Sequence, residues 1–556
     1  AMSWRCSAAS AICRLRSWAL YASLSIKLTL ARCRRCVERI PSVFGGSVFE
    51  ATASREPTGL QRLLIDSSGR RAYQPAPMKT NQIDSRMKIA CIAVVLACVA
   101  ADTLSQLIVG APLNDLAELL VFAEELHVSY DEQPPFLTWV AYAVRQVTGP
   151  ADDWVLHFGL TINLAATKLG VMWIAGRSGG AHAALLAAAI TLLIPTVGLD
   201  LFREVPHTST LLAGMIVGAA ALTARSHLKR NTALAGLAWG VAMAAKWQMG
   251  LLIVAWALAV AMTRTGRARR AALIRAAGAA LIAVGLSAPA YIAAFMNADT
   301  LQAGASDFFL ERTVAARLGD LVGSVVGEGW IFVLLAPLAG ALIRFRIHKD
   351  AQAMLVAGAI FSALLFGACL VGGMTVIRDR WFSPGFVLAA PGMAIWLTAA
   401  LKGAGSRIAI ALSVVVISTT VLIRGLEPMM LAATGGSGPQ TWPIDEFSQQ
   451  VAARYSLGEH WLVIADTPTL ANSLKEYGPA ATIAGPFQPR AAQSINRALL
   501  VHQYAAGLER TRSSLEAFSG DWTCKDPVTL SVPLRFQDER MFAAGVSACR
   551  RRSARD

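Results

Sequence analysis

The 556-residue chain is 55% hydrophobic and only 16% charged, against about 25% charged in ordinary soluble domains. That excludes a string of soluble globules and turns the length into a count of membrane spans. The formal net charge of +15 does not indicate nucleic acid, because the basic residues sit in short clusters between apolar runs, the pattern of membrane topology.

Residues 1–86 are rich in Arg and Ser and hold no helix-length apolar run; the stretch 19–30 is short and carries Lys27. This suits a transit peptide or, more simply, an N-terminal extension that is disordered or lies upstream of the true start. Met78 and Met87, each followed by Lys, are natural starts. A span needs roughly 20 apolar residues. Such runs follow at 89–110, 153–176, 181–199, 208–224, 232–246, 247–263, 271–295, 328–344, 351–373, 382–400 and 406–424, with 134–148 as a further short helix. The fold class is therefore an α-helical polytopic membrane protein with about 11–13 transmembrane helices.

Placing the N-terminus in the cytoplasm puts Arg177, Arg225, Lys229, Arg230, the cluster 264–270, Arg344, Arg346, Lys349, Lys402 and Arg407 on alternate, cytoplasmic loops, as the positive-inside rule asks. The acidic loop 111–152, the turn 200–207, the loop 297–327 and the turn 375–380 fall on the opposite, outer side. Odd parity sends the C-terminal part there too.

From about residue 425 the composition changes, and 435–439 (GGSGP) is linker-like. The segments 461–465, 499–502 and 528–532 read as strands and 469–477 as a helix, giving a small α/β domain without a Gly-rich nucleotide loop. The expected division is an extension over 1–86, a transmembrane domain over 87–430 and an extramembrane domain over 431–556. Of nine cysteines, Cys33 and Cys36 have CxxC spacing without a second pair. Cys524 and Cys549 either pair, in an oxidising compartment, or remain thiols.

Chemistry is sought in the outer loops. As a helix, 115–126 places Leu116, Leu119, Leu120, Ala123 and Leu126 on one stripe and Asp115, Glu118, Glu124 and Glu125 toward water or headgroups. That describes an interfacial helix, and its ordinary content is a solvated face with Asn114 or Asp115 as N-cap. Asp131, Glu132 and Gln133 precede Pro134–Pro135, where proline suits the first turn of a helix and carboxylates complement its dipole. Lys246 sits at an outer helix end, where lysine also snorkels. Arg378 and Arg380 flank Asp379 beside Trp381, either as a juxtamembrane anchor or as a grip on phosphate.

The order Asp115-x-Ala117-Glu118, then an acidic residue before Pro134–Pro135, then an apolar helix ending at Gly149, resembles the polytopic C-type glycosyltransferases. The branch it is most similar to is that of the dolichyl-phosphate-mannose protein mannosyltransferases and lipid A aminoarabinose transferases. The segments 237–252 (LAWGVAMAAKWQMGLL) and 376–391 (VIRDRWFSPGFVLAAP) resemble the family's Gly-rich helix with its Lys-aromatic pair and its Arg-Trp-x-x-Pro segment. The likeness covers about 88–430 and, more weakly, the C-terminal domain.

The resemblance implies inverting transfer of a sugar from a polyprenyl-phosphate donor to a lipid A, protein or glycan acceptor, at the periplasmic face of a bacterial inner membrane. Asp115 takes the place of the general base, with Asn114 as the alternative register. Glu118, Asp131, Arg203, His207, Lys246, Arg378 and Arg380 are the substrate-binding candidates, Lys246 and Arg380 against phosphate. His207 stands where many relatives have a carboxylate, and binds a metal, orients the donor, or is simply a polar residue at a helix start. Glu132 matches a residue that helps bind a metal, so a divalent ion is the one cofactor considered, while Gln133 replaces the lysine that follows it there. The chemistry is consistent: a carboxylate accepts the acceptor's proton and cations stabilise the leaving phosphate.

Two other classes are a transporter or flippase of a lipid-linked substrate and an inactive scaffold of the same fold. Transporters place ionisable residues at mid-membrane and carry repeats, whereas these candidates gather at outer helix ends. Reporter fusions at residues 228 and 440 are expected to report opposite sides of the membrane; the same side for both breaks the topology.

Overall fold

The computed structural model describes residues 85–109, 114–124, 126–127, 134–148, 154–200, 206–224, 226–296, 313–342, 348–372, 378–401, 404–435, 442–458, 461–477, 481–484, 495–503, 505–517, 521–534 and 537–551. The described residues all lie within the unit 80–556. The N-terminal extension expected over 1–86 falls almost entirely outside them.

The apolar runs form α1 (Ser85–Val109), α4 (Trp154–Leu192), α5 (Pro206–Thr223), α6 (Leu228–Ala245), α7 (Met249–Thr263), α8 (Gly266–Met296), α9 (Val314–Leu342), α10 (Lys349–Val371), α11 (Ser383–Ala400) and α12 (Ala404–Ala433). Between α1 and α4 lie two short helices, α2 (Asn114–Phe122) and α3 (Phe136–Thr148). The runs expected at 153–176 and 181–199 are the two arms of α4. They meet at Gly180, whose φ of 78° is open to glycine at little cost. Among the described residues, seven helices are long and apolar enough to cross a membrane, and the protein is an integral multi-pass membrane protein.

Helix α4 is the hub, packing on α1, α5, α11 and α12, while α6 is held between α5 and α8. Small residues allow the close approaches, as is common where lipid removes the hydrophobic drive between helices. A Cβ on Gly214 of α5 would lie 2.4 Å from the Ala238 carbonyl of α6, and one on Gly218 would lie 2.2 Å from the Trp239 indole nitrogen. The α5–α6 contact therefore fixes where the end of α6, and Lys246 just beyond it, is presented.

The C-terminal segment forms α13 (Ile444–Tyr455), β1 (Trp461–Ala465), α14 (Pro468–Tyr477), β2 (Thr482–Ala484), β3 (Arg497–His502), α15 (Ala505–Ala517), β4 (Trp522–Cys524), β5 (Val528–Leu534) and β6 (Gln537–Arg551). The sheet order is β2-β1-β3-β6-β4, with β5 also on β6. The first three strands are parallel, and β6 pairs antiparallel with β3, β4 and β5. Alternation along β1 and β3 splits their side chains between two cores: Val463, Leu499 and Val501 face α13 and α14, and Leu462, Ala498 and Leu500 face Leu515 of α15.

Cys524 and Cys549 are partners across the β4–β6 ladder and form a disulfide closing 25 residues. Cross-linking a loop of that length contributes about 3 kcal/mol. Replacing both with Ser is expected to lower the unfolding temperature of the purified protein. An unchanged temperature, together with thiol labelling of both cysteines in the native protein, would show that the bridge does not form.

Candidate active site

Helix α2 begins with Asp115 in its first turn. The stripe read from the sequence is its buried face: Leu116, Leu119, Leu120 and Ala123 are all 5% exposed or less and pack on Leu137, Ala141 and Tyr142 of α3 and Leu156 and Leu160 of α4. The interfacial reading of this helix is corrected on its other side. Val121 joins the core of the C-terminal sheet, and Glu124 does not face water: its carboxylate meets Arg145 at 2.6 Å and Lys475 at 3.0 Å. The helix is enclosed by protein because charged partners on α3 and α14 neutralise the face that the sequence left polar. Leu126, expected on the stripe, lies past the end of α2 and is exposed.

Asp115 forms an ion pair with Arg380, Oδ2 to Nη2 at 3.0 Å, with side chains 19% and 18% exposed. Arg380 lies in a 3-10 turn, Asp379–Trp381, which leads directly into α11. Its carbonyl accepts the Ser383 hydroxyl at 2.8 Å, fastening the turn to the helix start. The Nε of Arg380 is buried with no hydrogen-bond partner among the described residues, so the guanidinium keeps a donor for a further acceptor. Arg378, in contrast, is exposed, and the two arginines do not share one orientation.

His207 and Thr208 open α5 beside the end of α6. The His207 ring contacts the Ala245 carbonyl through Nδ1 at 3.0 Å. A carbonyl only accepts, so Nδ1 carries the proton and Nε2 keeps its lone pair in the neutral ring. Lys246 ends α6, its backbone N–H capping on Ala242 and its ammonium donating to the Thr208 hydroxyl at 2.6 Å. Both Lys246 and Arg380 lie close enough to act electrostatically on His207.

The structure thus brings Asp115, His207, Lys246 and Arg380 together from four separate segments. Glu118 is half-buried one turn further along α2. Asp131, Glu132 and Arg203 lie outside the described residues, as does the side chain of the alternative base Asn114. Among the described residues no three His, Cys, Asp or Glu side chains converge as metal ligands would. The charge around His207 suits an anion better than a cation.

Two groups of polar residues escaped the sequence reading. One is Arg145, buried in α3, with Glu124, Asn472 and Lys475. A lone charged residue in a 13-residue helix, too short to span, was the available signal. The other surrounds the π-helical turn Thr196–Asp200. Glu328 accepts the Thr196 N–H at 3.2 Å and Arg424 donates to the Gly198 carbonyl at 2.7 Å, with buried Lys168 and Asp102 nearby. Ionisable residues inside spans are expensive; Glu328 and Arg424 secure the turn that precedes α5.

Comparison with known proteins fits this geometry. The dolichyl-phosphate-mannose-protein mannosyltransferase family matches residues 132–292. The lipopolysaccharide core galacturonosyltransferase RgtA of Rhizobium johnstonii is 25% identical over 408 residues, covering 67% of this chain and 77% of that protein. Among solved structures, ArnT from Cupriavidus metallidurans in the apo state superposes with a TM-score of 0.51 at 15% identity, covering 83% of this chain and 98% of that one. A second ArnT structure, bound to undecaprenyl phosphate, gives 0.47 at 14% identity over 84% and 98% of the two chains. Fold, family match and relative agree: this is a polytopic membrane protein with the C-type glycosyltransferase fold, similar to the protein mannosyltransferases and to ArnT.

Proposed function

We propose that the protein is a glycosyltransferase that moves a sugar from a polyprenyl-phosphate donor to an acceptor hydroxyl at the periplasmic face of a bacterial inner membrane, with inversion. The observation that carries this is the contact of a carboxylate, Asp115, with a half-buried guanidinium, Arg380, beside Lys246 and His207. A base and an anion-binding group at one point are what the reaction requires. The relative that acts on the lipopolysaccharide core supports a glycolipid among the lipid, protein and glycan acceptors.

In this reading the donor phosphate is taken by Arg380 and Lys246, while His207 Nε2 accepts a hydrogen bond from the sugar. Arg380 is shared: as the phosphate engages it, Asp115 gives up part of its ion pair and becomes free to accept a proton. The acceptor oxygen attacks the anomeric carbon, its proton passes to Asp115, and the bond from carbon to phosphate oxygen breaks with its electron pair leaving on the polyprenyl phosphate. Fixed cations serve best where that charge develops. Glu118 and Asp131 are assigned to the sugar, and Arg203 and exposed Arg378 to the approaching donor. A divalent ion held by Glu132 would add screening of the phosphate charge.

The test is transfer of labelled sugar from a polyprenyl-phosphate donor in proteoliposomes. Asp115→Asn is expected to lose about 100- to 10,000-fold in kcat, the range of a general base; unchanged turnover sinks the assignment. Movement of intact donor without sugar transfer would instead support a flippase.

Arg380→Lys keeps the charge but loses the planar fork, and is expected to lower transfer at least 10-fold, with a raised KM for donor. Lys246→Gln is expected to raise the donor KM as well; a KM unchanged in both variants would remove the phosphate role. Loss of turnover in EDTA that Mg²⁺ or Mn²⁺ restores supports the ion at Glu132, and indifference to EDTA removes it.

A further inference from the structure

Helix α2 is nine residues long, too short to hold its own conformation in water, where isolated helices below about 12 residues are marginal. Its direction, and with it the position of Asp115, is set by what grips it. On one side the grip is apolar, from α3 and α4. On the other it is a charged junction reaching into the C-terminal domain. Arg145 donates through Nη1 to the Leu120 carbonyl at 2.7 Å and to Glu124 at 2.6 Å, and through Nη2 to the Asn472 amide oxygen at 2.8 Å. Lys475 closes the arrangement, bound to the other oxygen of Glu124 at 3.0 Å and to the Ala481 carbonyl at 2.9 Å. Asn472 and Lys475 share one face of α14, three residues apart in sequence, as neighbours on a helix surface are.

We propose that Asn472 and Lys475 are positioning residues for the transfer reaction, acting through Glu124 and Arg145 on α2 and hence on the Asp115 carboxylate. The C-terminal domain is then a working part of the active site. This rests on the reading of Asp115 as the base. The junction is well suited to transmit position, because Arg145 is 6% and Lys475 13% exposed in the side chain, and a buried charge held from several directions has few alternative places to sit. Reaction geometry is demanding enough that a shift of about 1 Å costs on the order of 100-fold.

The experiment is a double-mutant cycle in single-turnover assays with the full-length protein and labelled polyprenyl-phosphate sugar. Lys475→Ala and Asn472→Ala are each expected to lower kcat by about 10- to 100-fold while leaving the donor KM within twofold. Lys475→Arg is expected to restore most of the rate. In the Asp115→Asn background, Lys475→Ala is expected to cause no further loss, since the group it positions is gone.

Equal proportional losses in both backgrounds, or wild-type kcat in both Lys475→Ala and Asn472→Ala, overturn the proposal. Asn472→Ala removes no charge, so it tests the idea even where Lys475→Ala folds poorly. Full turnover of Asp115→Asn would overturn the base assignment together with this one. Parallel losses in both backgrounds overturn only the positioning role.

Discussion

An ion pair between Asp115 and Arg380 joins the start of the helical region to its penultimate helix. Neither residue has a conformation of its own that would place it there. Asp115 depends on a short helix gripped by α3, α4 and α14, and Arg380 on a 3-10 turn bound to the start of α11. The remaining groups arrive in the same way, His207 on the first turn of α5 and Lys246 on the last of α6, both set by glycine-mediated contact between those helices. The bundle is in this sense a frame that brings four chain segments to one point.

The polar interior follows the same economy. Charges are costly to bury and breaking a buried pair costs about 3–5 kcal/mol, yet the chain places Arg145, Lys168, Glu328 and Arg424 inside, each under 10% exposed. Those whose contacts are described bind backbone carbonyls or N–H groups. They serve segments whose backbone does not satisfy itself: the end of α2 and the π-helical turn before α5. Buried charge in this protein is spent where the chain leaves regular helix.

The apolar runs were legible because a span needs a fixed length of hydrophobic residues, and each expected run lies in or largely within a helix. The break at Gly180 was legible for the same reason. Strand β1 was read from its five apolar residues, and β3 and β5 in part. Strand β6 was not read, because its polar opening, QDER, gives no alternation to detect. The candidate site was legible as a set of residue types, with Asp115, His207, Lys246 and Arg380 named in advance. Its neighbours were not. Glu124 looked like a solvated helix residue because its partners are remote; Arg145 and Asn472, which meet in the same junction, are 327 positions apart. A contact over that separation leaves no local pattern. The loop around Asp131 and Glu132 lies outside the described residues.

The junction at α14 also bears on when the protein becomes competent. Every described membrane helix precedes α14 in the chain, and β6, which pairs with β3, β4 and β5, follows it. A nascent chain can therefore be threaded into the bilayer with all of its acid and cationic groups present while the grip on α2 is still missing. Synthesis of β6, and its cross-link to β4, completes the sheet to which α14 belongs. The order of translation thus leaves the clasp on the helix of Asp115 until the helical bundle has already been threaded.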